Sequence, residues 1–508
     1  MQVAAFVLFV WLLFAGLQRR SAVPLSNLYF RFDPLTVFSA TAASRQWLAQ
    51  TWPALLTVAA AVLLGRVWCG WICPMGTLLG WVRFRGARSR HVPPRLRAVK
   101  YLLLAAIAAM AAMGSLTLLV LDPLGLLTRT ATTSALPGLD YAVTAAESAL
   151  VRWTPTRFAV TWLEDHIRGI VLPVVQPHFS QAVALAALFL AVVALNAYSD
   201  RFWCRYLCPL GALLGLLAKL QVLRPIVGSG CTGCGTCERA CRVGAIESPS
   251  QGEPARVVTS ECTMCLDCLA SCPEHDAMRF GLAIHPGPWA GYDPGRRQFV
   301  AAAAGGLGAA VLLGTGVWRG RTDPGLIRPP GAQDERTLLA RCVRCSECMK
   351  VCPTSGLQPA LTEAGLEGFW TPVLTSRLGH CEYSCAACGQ VCPSGAIPRL
   401  SLDDKRRRVI GLAVLDRDRC LPWAQDTPCI ICQEMCPVPD KAIVLGRQSL
   451  MTRPDGSQDY LARPRVVADR CIGCGICENK CPLPGAAAIV VVPAPAPGGA
   501  ATPLGASG

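Results

Sequence analysis

The chain has 508 residues, 52% of them hydrophobic and only 16% charged, with a net charge of +15 and a mean hydropathy of +0.38. So little charge in so long a chain argues against an ordinary soluble protein and predicts a membrane portion. The basic excess then reads as loops held on the inner side of a membrane, which excludes nucleic-acid binding as its explanation.

Taken in chain order, apolar runs lie near residues 3–17, 53–67, 99–121, 181–198 and 299–318. A membrane-spanning helix needs about 20 apolar residues. The third and fifth runs supply them outright, and the second and fourth do so with their flanking W-C segments. The first four runs form a duplicated unit. "FDPLTVFSATAAS" (32–44) follows the first run and "LDPLGLLTRTATTS" (121–134) the third. "WCGWICPMGTLLG" (68–80) closes the second and "WCRYLCPLGALLG" (203–215) the fourth. The segment 83–100 carries seven basic residues (Arg83, Arg85, Arg88, Arg90, Arg95, Arg97 and Lys100) and no acid. The positive-inside rule puts it, and both W-C-x3-C-P motifs, on the cytoplasmic side, with the D-P-L loops outside.

The 28 cysteines leave no remainder. Four make the two C-x3-C-P pairs, Cys69/Cys73 and Cys204/Cys208; the other 24 make six quartets. Two quartets follow the fourth run: Cys231, Cys234, Cys237, Cys241 and Cys262, Cys265, Cys268, Cys272. Their C-x2-C-x2-C-x3-C spacing is that of bacterial 4Fe–4S ferredoxins, where three cysteines wrap one cubane and the fourth reaches its neighbour. One cluster then takes Cys231, Cys234, Cys237 and Cys272, and the other Cys262, Cys265, Cys268 and Cys241. Zinc sites use two separated C-x2-C pairs and need no third cysteine three residues on.

Next comes "DPGRRQFVAAAAGGLGAAVLLGTGVW" (293–318), a twin-arginine pattern before an apolar run. Four further quartets follow: Cys342, Cys345, Cys348, Cys352; Cys381, Cys385, Cys388, Cys392; Cys420, Cys429, Cys432, Cys436; and Cys471, Cys474, Cys477, Cys481. The second and third widen their first gap, which reads as loop insertion around a cubane. Pairing of these four runs is open between nested and sequential, and the adjacency of the two irregular runs favours nested. Six quartets predict six 4Fe–4S clusters. "DDKRRRVI" (403–410) reads as a solvated hairpin face.

On these motifs, residues 1 to about 290 resemble the NapH/MauN family of membrane ferredoxin-type proteins. Residues from about 293 to 490 resemble the NapG/MauM family, whose members carry a twin-arginine signal and four cubane motifs. The resemblance implies a fusion of the two. It would be a membrane-bound quinol dehydrogenase of the bacterial inner membrane that passes electrons through 4Fe–4S clusters to a periplasmic reductase or cytochrome. Partners would be lipid, the quinone pool and the twin-arginine translocase, which exports domains already folded around their clusters. The expected fold is membrane α-helical, a four-helix duplicated unit plus a fifth helix, with α+β ferredoxin-like modules. Its segments would be 1–218 (four-helix unit), 219–292 (cytoplasmic two-cluster ferredoxin), 293–320 (signal/anchor helix), 321–490 (periplasmic four-cluster ferredoxin) and 491–508 (disordered tail). An alternative reading is a metal-centre maturation factor resembling the FixG/CcoG family, which shares the C-x3-C-P helices and two inner clusters but lacks a four-cluster domain.

Two sets of residues are candidates for the quinol chemistry. Cys69, Cys73, Cys204 and Cys208, each pair on one helix face, would hold a further metal centre or undergo thiol redox change. Glu164, Asp165, His166 and His178 could accept the protons that quinol oxidation releases. Asp33 and Asp122, which recur with the repeat, are candidates of the same kind that would equally serve as helix caps.

Overall fold

Helices form on the apolar runs, but the second, third and fourth runs are cut short. The computed structural model describes residues 1–17, 25–47, 52–82, 84, 94–169, 172–173, 176–247, 253–274, 277–282, 296–314, 326–332, 334–446, 449–452 and 458–494. Most of the basic segment 83–100 and the tail beyond 494 lie outside these residues.

Gln2–Leu17 has 16 residues, Pro53–Leu64 has 12, Ala98–Ala112 has 15 and Ala182–Ala194 has 13. At about 1.5 Å per residue, these helices measure about 18–24 Å, against a bilayer core of about 30 Å. The breaks have local causes. Pro53–Leu64 stops at Gly65, whose φ of +76° no other residue adopts cheaply. Ala98–Ala112 gives way to the 3-10 turn Thr117–Leu121, and Ala182–Ala194 to Leu195–Ala197. Arg296–Gly314 reaches 19 residues but spends its first turn on the twin arginines. Among the described residues no helix is long and apolar enough to cross a membrane. That finding overturns the expected membrane α-helical class. It also overturns the five crossings of a bacterial inner membrane, and with them the division into cytoplasmic and periplasmic clusters. Counting apolar residues measured runs; the glycines, prolines and tight turns inside them set the helices.

The duplication is explicit in the backbone. Each D-P-L motif starts a helix, Pro34–Ser44 and Pro123–Thr130, with proline in the first turn and the aspartate as N-cap. Each C-x3-C-P motif is a single π turn, Trp68–Ile72 and Trp203–Leu207, followed by a helix that starts at the proline, Pro74–Trp81 and Pro209–Leu217. The amide of Cys73 donates to the Trp68 carbonyl at 2.8 Å and that of Cys208 to the Trp203 carbonyl at 2.9 Å. Proline forces the residue before it out of the helical region, so both cysteines are extended. The expected i, i+4 sharing of one helix face is therefore replaced by a wider turn.

The helical unit buries one apolar core around Phe30, Trp68, Met75, Leu124 and Leu210. The twin-arginine helix lies along Ala98–Ala112, where a Cβ on Gly306 would come within 2.7 Å of the Ala106 carbonyl oxygen. The cysteine-rich parts have little sheet: every sheet among the described residues has two antiparallel strands, such as Leu223–Val227 with Met278–Leu282 and Gly411–Leu415 with Ile489–Pro493. Two-stranded sheets are marginal alone, and cysteines are part of both cores beneath them.

These two parts attach at opposite ends of Ala98–Ala112. Beside its start, Arg97 Nη2 donates to the Gly244 carbonyl at 2.8 Å, and Lys100 Nζ bonds both oxygens of Glu261 at 2.7 and 2.6 Å. Beyond its end, the Leu116 carbonyl accepts from Arg344 Nη1 at 2.7 Å.

Candidate iron–sulfur and redox sites

The four regular quartets share one backbone winding. The second residue after the first cysteine and the residue after the second cysteine have positive φ in each: Gly233 (+70°) and Gly235 (+69°), Met264 (+54°) and Leu266 (+64°), Arg344 (+56°) and Ser346 (+64°), Gly473 (+72°) and Gly475 (+80°). Half of these positions use glycine. The others hold side chains there at a cost of about 1–3 kcal/mol each, so the loop geometry is imposed whatever the residue. A short helix starts directly after the second left-handed position, Thr236–Ala240, Asp267–Ser271, Glu347–Lys350 and Ile476–Lys480, and carries the third cysteine in its first turn.

The fourth cysteine of a run reaches the neighbouring run. Cys231, Cys234, Cys237 and Cys272 line one small cavity, and the Cys241 sulfur bears on Cys262, Cys265 and Cys268. Among the four later runs, Cys381, Cys385 and Cys388 line a cavity with Cys352, and Cys420, Cys429 and Cys432 line one with Cys481. The Cys392 sulfur acts on Cys342, Cys345 and Cys348, and that of Cys436 on Cys474. The runs therefore pair first with second and third with fourth. The nested arrangement favoured by the adjacency of the irregular runs is incorrect, because each exchange joins consecutive loops.

Among the described residues no three His, Cys, Asp or Glu are placed to share a single metal ion. Burial, and then the neighbouring sulfurs Cys345, Cys342 and Cys392, hold Cys348 well above the usual thiol range. Burial and adjacent thiols likewise push Cys268 and Cys432 up to about 12. Thiols so placed lose their protons to a metal and not to solvent, which couples cluster binding to folding.

The later four sets neighbour one another in order. Cys388 acts on Cys348, Cys381 on Cys474, and Cys432 on Cys477, and the Cys381 amide donates to the Cys474 carbonyl at 2.8 Å. The order from the helical unit is thus the set on Cys342, then Cys381, then Cys471, then Cys420. The first set is anchored to that unit by Arg344, which donates to the carbonyls of Leu116, Cys342, Phe369 and Glu367 at 2.7, 3.1, 3.0 and 2.6 Å. The last lies under the exposed loop that fills the widened gap of the third run. "DDKRRRVI" forms the helix Leu402–Arg407 and no hairpin; Lys405 is buried and donates to the Glu382 carbonyl at 2.7 Å, beside Cys381.

The structure brings Cys69, Cys73, Cys204 and Cys208 together. The charges of Cys69, Cys73 and Cys204 all bear on Cys208, and burial raises Cys73 and Cys208 well above the ordinary thiol range. Two buried arginines flank them. Arg66 lies beside Cys69 and Cys208, and Arg201 beside Cys204. Glycines leave room for both: a Cβ on Gly211 would come within 2.8 Å of Arg66, and one on Gly80 within 2.6 Å of Arg201. Sequence reading missed these arginines, yet each stands three residues before the first cysteine of its motif, in "RVWC" and "RFWC".

Next to Cys73 is a cavity of about 440 Å³ lined by Leu8, Leu28, Tyr29, Phe32, Leu56 and Trp68, among others. The Phe32 and Trp68 rings, both in its lining, stack on each other at 6.1 Å. Tyr29 Oη donates to the Ala5 carbonyl at 2.5 Å, whereas buried Trp68 Nε1 has no hydrogen-bond partner. Burial and then Cys73 push Tyr29 up to about 12. The expected proton acceptors are elsewhere. His166 is exposed and stacked on Trp162, Glu164 pairs with Arg168 at 3.8 Å, and His178 is exposed, its carbonyl accepting from Gln358.

Comparison with known proteins follows the same divisions. A family described as a 4Fe–4S binding domain matches residues 52–93 and 181–228, the two C-x3-C-P regions. A 4Fe–4S dicluster domain matches residues 226–273, and a further 4Fe–4S binding domain matches residues 464–483. The chain is 40% identical over 197 residues to the ferredoxin-type protein NapG of Escherichia coli, covering 37% of this chain and 82% of that protein. It is 35% identical over 209 residues to the methylamine utilization ferredoxin-type protein MauM of Methylorubrum extorquens, covering 39% of this chain and 90% of that protein. Similarity to the ferredoxin-type protein NapF of Escherichia coli is 30% over 169 residues, covering 33% of this chain and 87% of that protein. No solved structure matches.

Proposed function

Over 37–39% of its length the chain belongs to the NapG/MauM family of ferredoxin-type iron–sulfur electron-transfer proteins, and from that premise we propose that it oxidises a hydroquinone and delivers the electrons to a partner protein. The six thiol sets would hold six 4Fe–4S clusters, which supply one-electron transfer at potentials tuned by their surroundings. The observation that carries the hydroquinone reading is the apolar cavity beside Cys73. Its volume of about 440 Å³ is within the range of small-molecule sites, which are apolar with a few placed polar groups. A flat ring would pack against the Phe32 and Trp68 side chains that line the cavity, and the unpartnered Trp68 Nε1 would donate to one of its oxygens. Burial around Tyr29 and Trp68 would exclude water from the ring.

Cys69, Cys73, Cys204 and Cys208, grouped behind Tyr29 and Ile72 of the cavity wall, would serve as a further redox site, and Arg66 and Arg201 would offset the negative charge of thiolates there. The partner would meet the chain at the exposed loop over the set on Cys420, the farthest in order from the helical unit.

Anaerobic mixing of the cluster-loaded protein with a short-chain hydroquinone tests the reading. Visible absorbance should bleach, and Ala60→Trp, which fills the cavity, should slow bleaching at least about tenfold while dithionite still reduces the protein fully. A wild-type protein that dithionite bleaches and hydroquinone does not, or an Ala60→Trp variant as fast as wild type, would overturn it.

A further inference from the structure

The two cysteine-rich arms meet the apolar cavity from different walls. One wall is the short helix Leu28–Arg31, which gives the cavity Leu28, Tyr29 and, at its C-cap, Phe32. Its N-cap, Asn27, has no exposed surface and donates from Nδ2 to the Val391 carbonyl at 2.7 Å, directly before Cys392. Arg31 Nε donates to Asn27 Oδ1 at 2.8 Å, which fixes the amide with its nitrogen toward Val391. Tyr29 and Phe30 also share their apolar core with Cys345. This wall therefore adjoins the set on Cys342, the first of the four-set arm.

The other wall is the π turn Trp68–Ile72, which gives the cavity Trp68 and Ile72. Gly70 and Trp71 of the same turn are seated on the two-set arm. Trp71 Nε1 donates to the Met264 carbonyl at 2.9 Å, and a Cβ on Gly70 would collide with the Thr263 carbonyl oxygen. Thr263 and Met264 lie between Cys262 and Cys265. Just before the turn, Arg66 Nη1 donates to the Ser260 carbonyl at 3.1 Å. The arms themselves join the helical unit at opposite ends of Ala98–Ala112, so the cavity is a neighbour they have in common.

We propose that Asn27 and Trp71 are positioning residues that seat one thiol set of each arm against the cavity, so that the two electrons of one hydroquinone part between the arms. This division of electrons rests on the hydroquinone reading and on a 4Fe–4S cluster in each set. A cubane accepts a single electron, and electron transfer slows steeply with distance. Once the set behind one wall is filled, the empty set behind the other is reached through the cavity's own lining element. In balance, the hydroquinone breaks two O–H bonds and becomes the quinone. One electron reduces the set on Cys262, one reduces the set on Cys342, and the two protons leave on the open side, where Leu8 and Leu56 are exposed. Such a division gives a use to two separate arms on one helical unit.

Freeze-quench electron paramagnetic resonance of the full-length, cluster-loaded protein tests the division. The signals of the two sets are first identified under dithionite as those that Cys265→Ser and Cys348→Ser alter. With a short-chain hydroquinone substoichiometric to protein, the earliest spins should divide evenly between these two signals. Trp71→Phe, which removes the bond to Met264, should shift them toward the Cys342 set. Asn27→Ser, which removes the bond to Val391, should shift them toward the Cys262 set. Opposite shifts separate positioning from a general loss of structure, and the wild-type division needs no variant to fold. Early spins confined to one arm, or variants that leave the division unchanged, would overturn the proposal and leave the hydroquinone reading intact. A protein that dithionite reduces and hydroquinone does not would overturn both.

Discussion

At the scale of single residues, left-handed backbone decides how the cysteine loops are built. Ser346 is at φ +64°, is 3% exposed, and its hydroxyl has no partner. Glycine there removes a left-handed cost of about 1–2 kcal/mol against an entropic loss of about 0.5–1 kcal/mol. Ser346→Gly should therefore stabilise the cluster-loaded protein slightly, by up to about 1 kcal/mol in a denaturant midpoint; a clear loss would show that the hydroxyl has a partner. Lys100 gives the opposite case, a buried charge that pairs and still suffers. It is fully buried, and burial outweighs Glu261 in lowering it to about 8. The unfolded chain keeps that proton to about pH 10.4. Between those values the unfolded state holds more protons, so this contribution makes stability rise with pH. Lys100→Met leaves Glu261 buried with Arg66 at 3.5 Å and should cost about 3 kcal/mol at neutral pH. The gap between wild type and variant should widen from pH 8 to 10, and a gap that narrows would contradict the assignment.

At the scale of elements, the duplicated motifs were readable and the helix lengths were not. Proline after aspartate or cysteine fixes a helix start in either copy, and that much follows from local stereochemistry. The π turn at each C-x3-C-P motif was hidden, because an apolar pattern with cysteines at i and i+4 also suits an α-helix. The spans failed for a related reason: run length counts residues, while Gly65 and the turns after Ala112 and Ala194 end the helices early. The twin-arginine helix was visible as a run, but its seat was not. It lies on Ala98–Ala112 through Gly306, where any side chain would meet the Ala106 backbone. Gly306→Leu should push the two helices apart and speed hydrogen exchange of the amides in Ala98–Ala112 at least about tenfold. Unchanged exchange there would mean the contact adds nothing to the stability of that helix.

At the scale of the whole molecule, the cysteine arithmetic was the most legible feature, because ligand spacing is written locally. What joins the loops was less so. Sequential pairing of the later runs depends on which fourth cysteine reaches which loop, a tertiary fact. Arg344 ties the first of the later thiol sets to the helical unit, whereas Arg66 and Arg201 flank the C-x3-C-P thiols, where only their position three residues before the first cysteine hinted at it. His166 and His178 stood out chemically and stay apart from the cavity, since residue type alone carries no position. The central proposal is that each of the six thiol sets would take a four-iron cluster. Its most direct test is the iron and acid-labile sulfide content of protein purified without oxygen. The prediction is about 24 irons and as many sulfides per chain for six cubanes, with a few more irons if the C-x3-C-P thiols are also loaded; about eight irons, or zinc in place of iron, would contradict it.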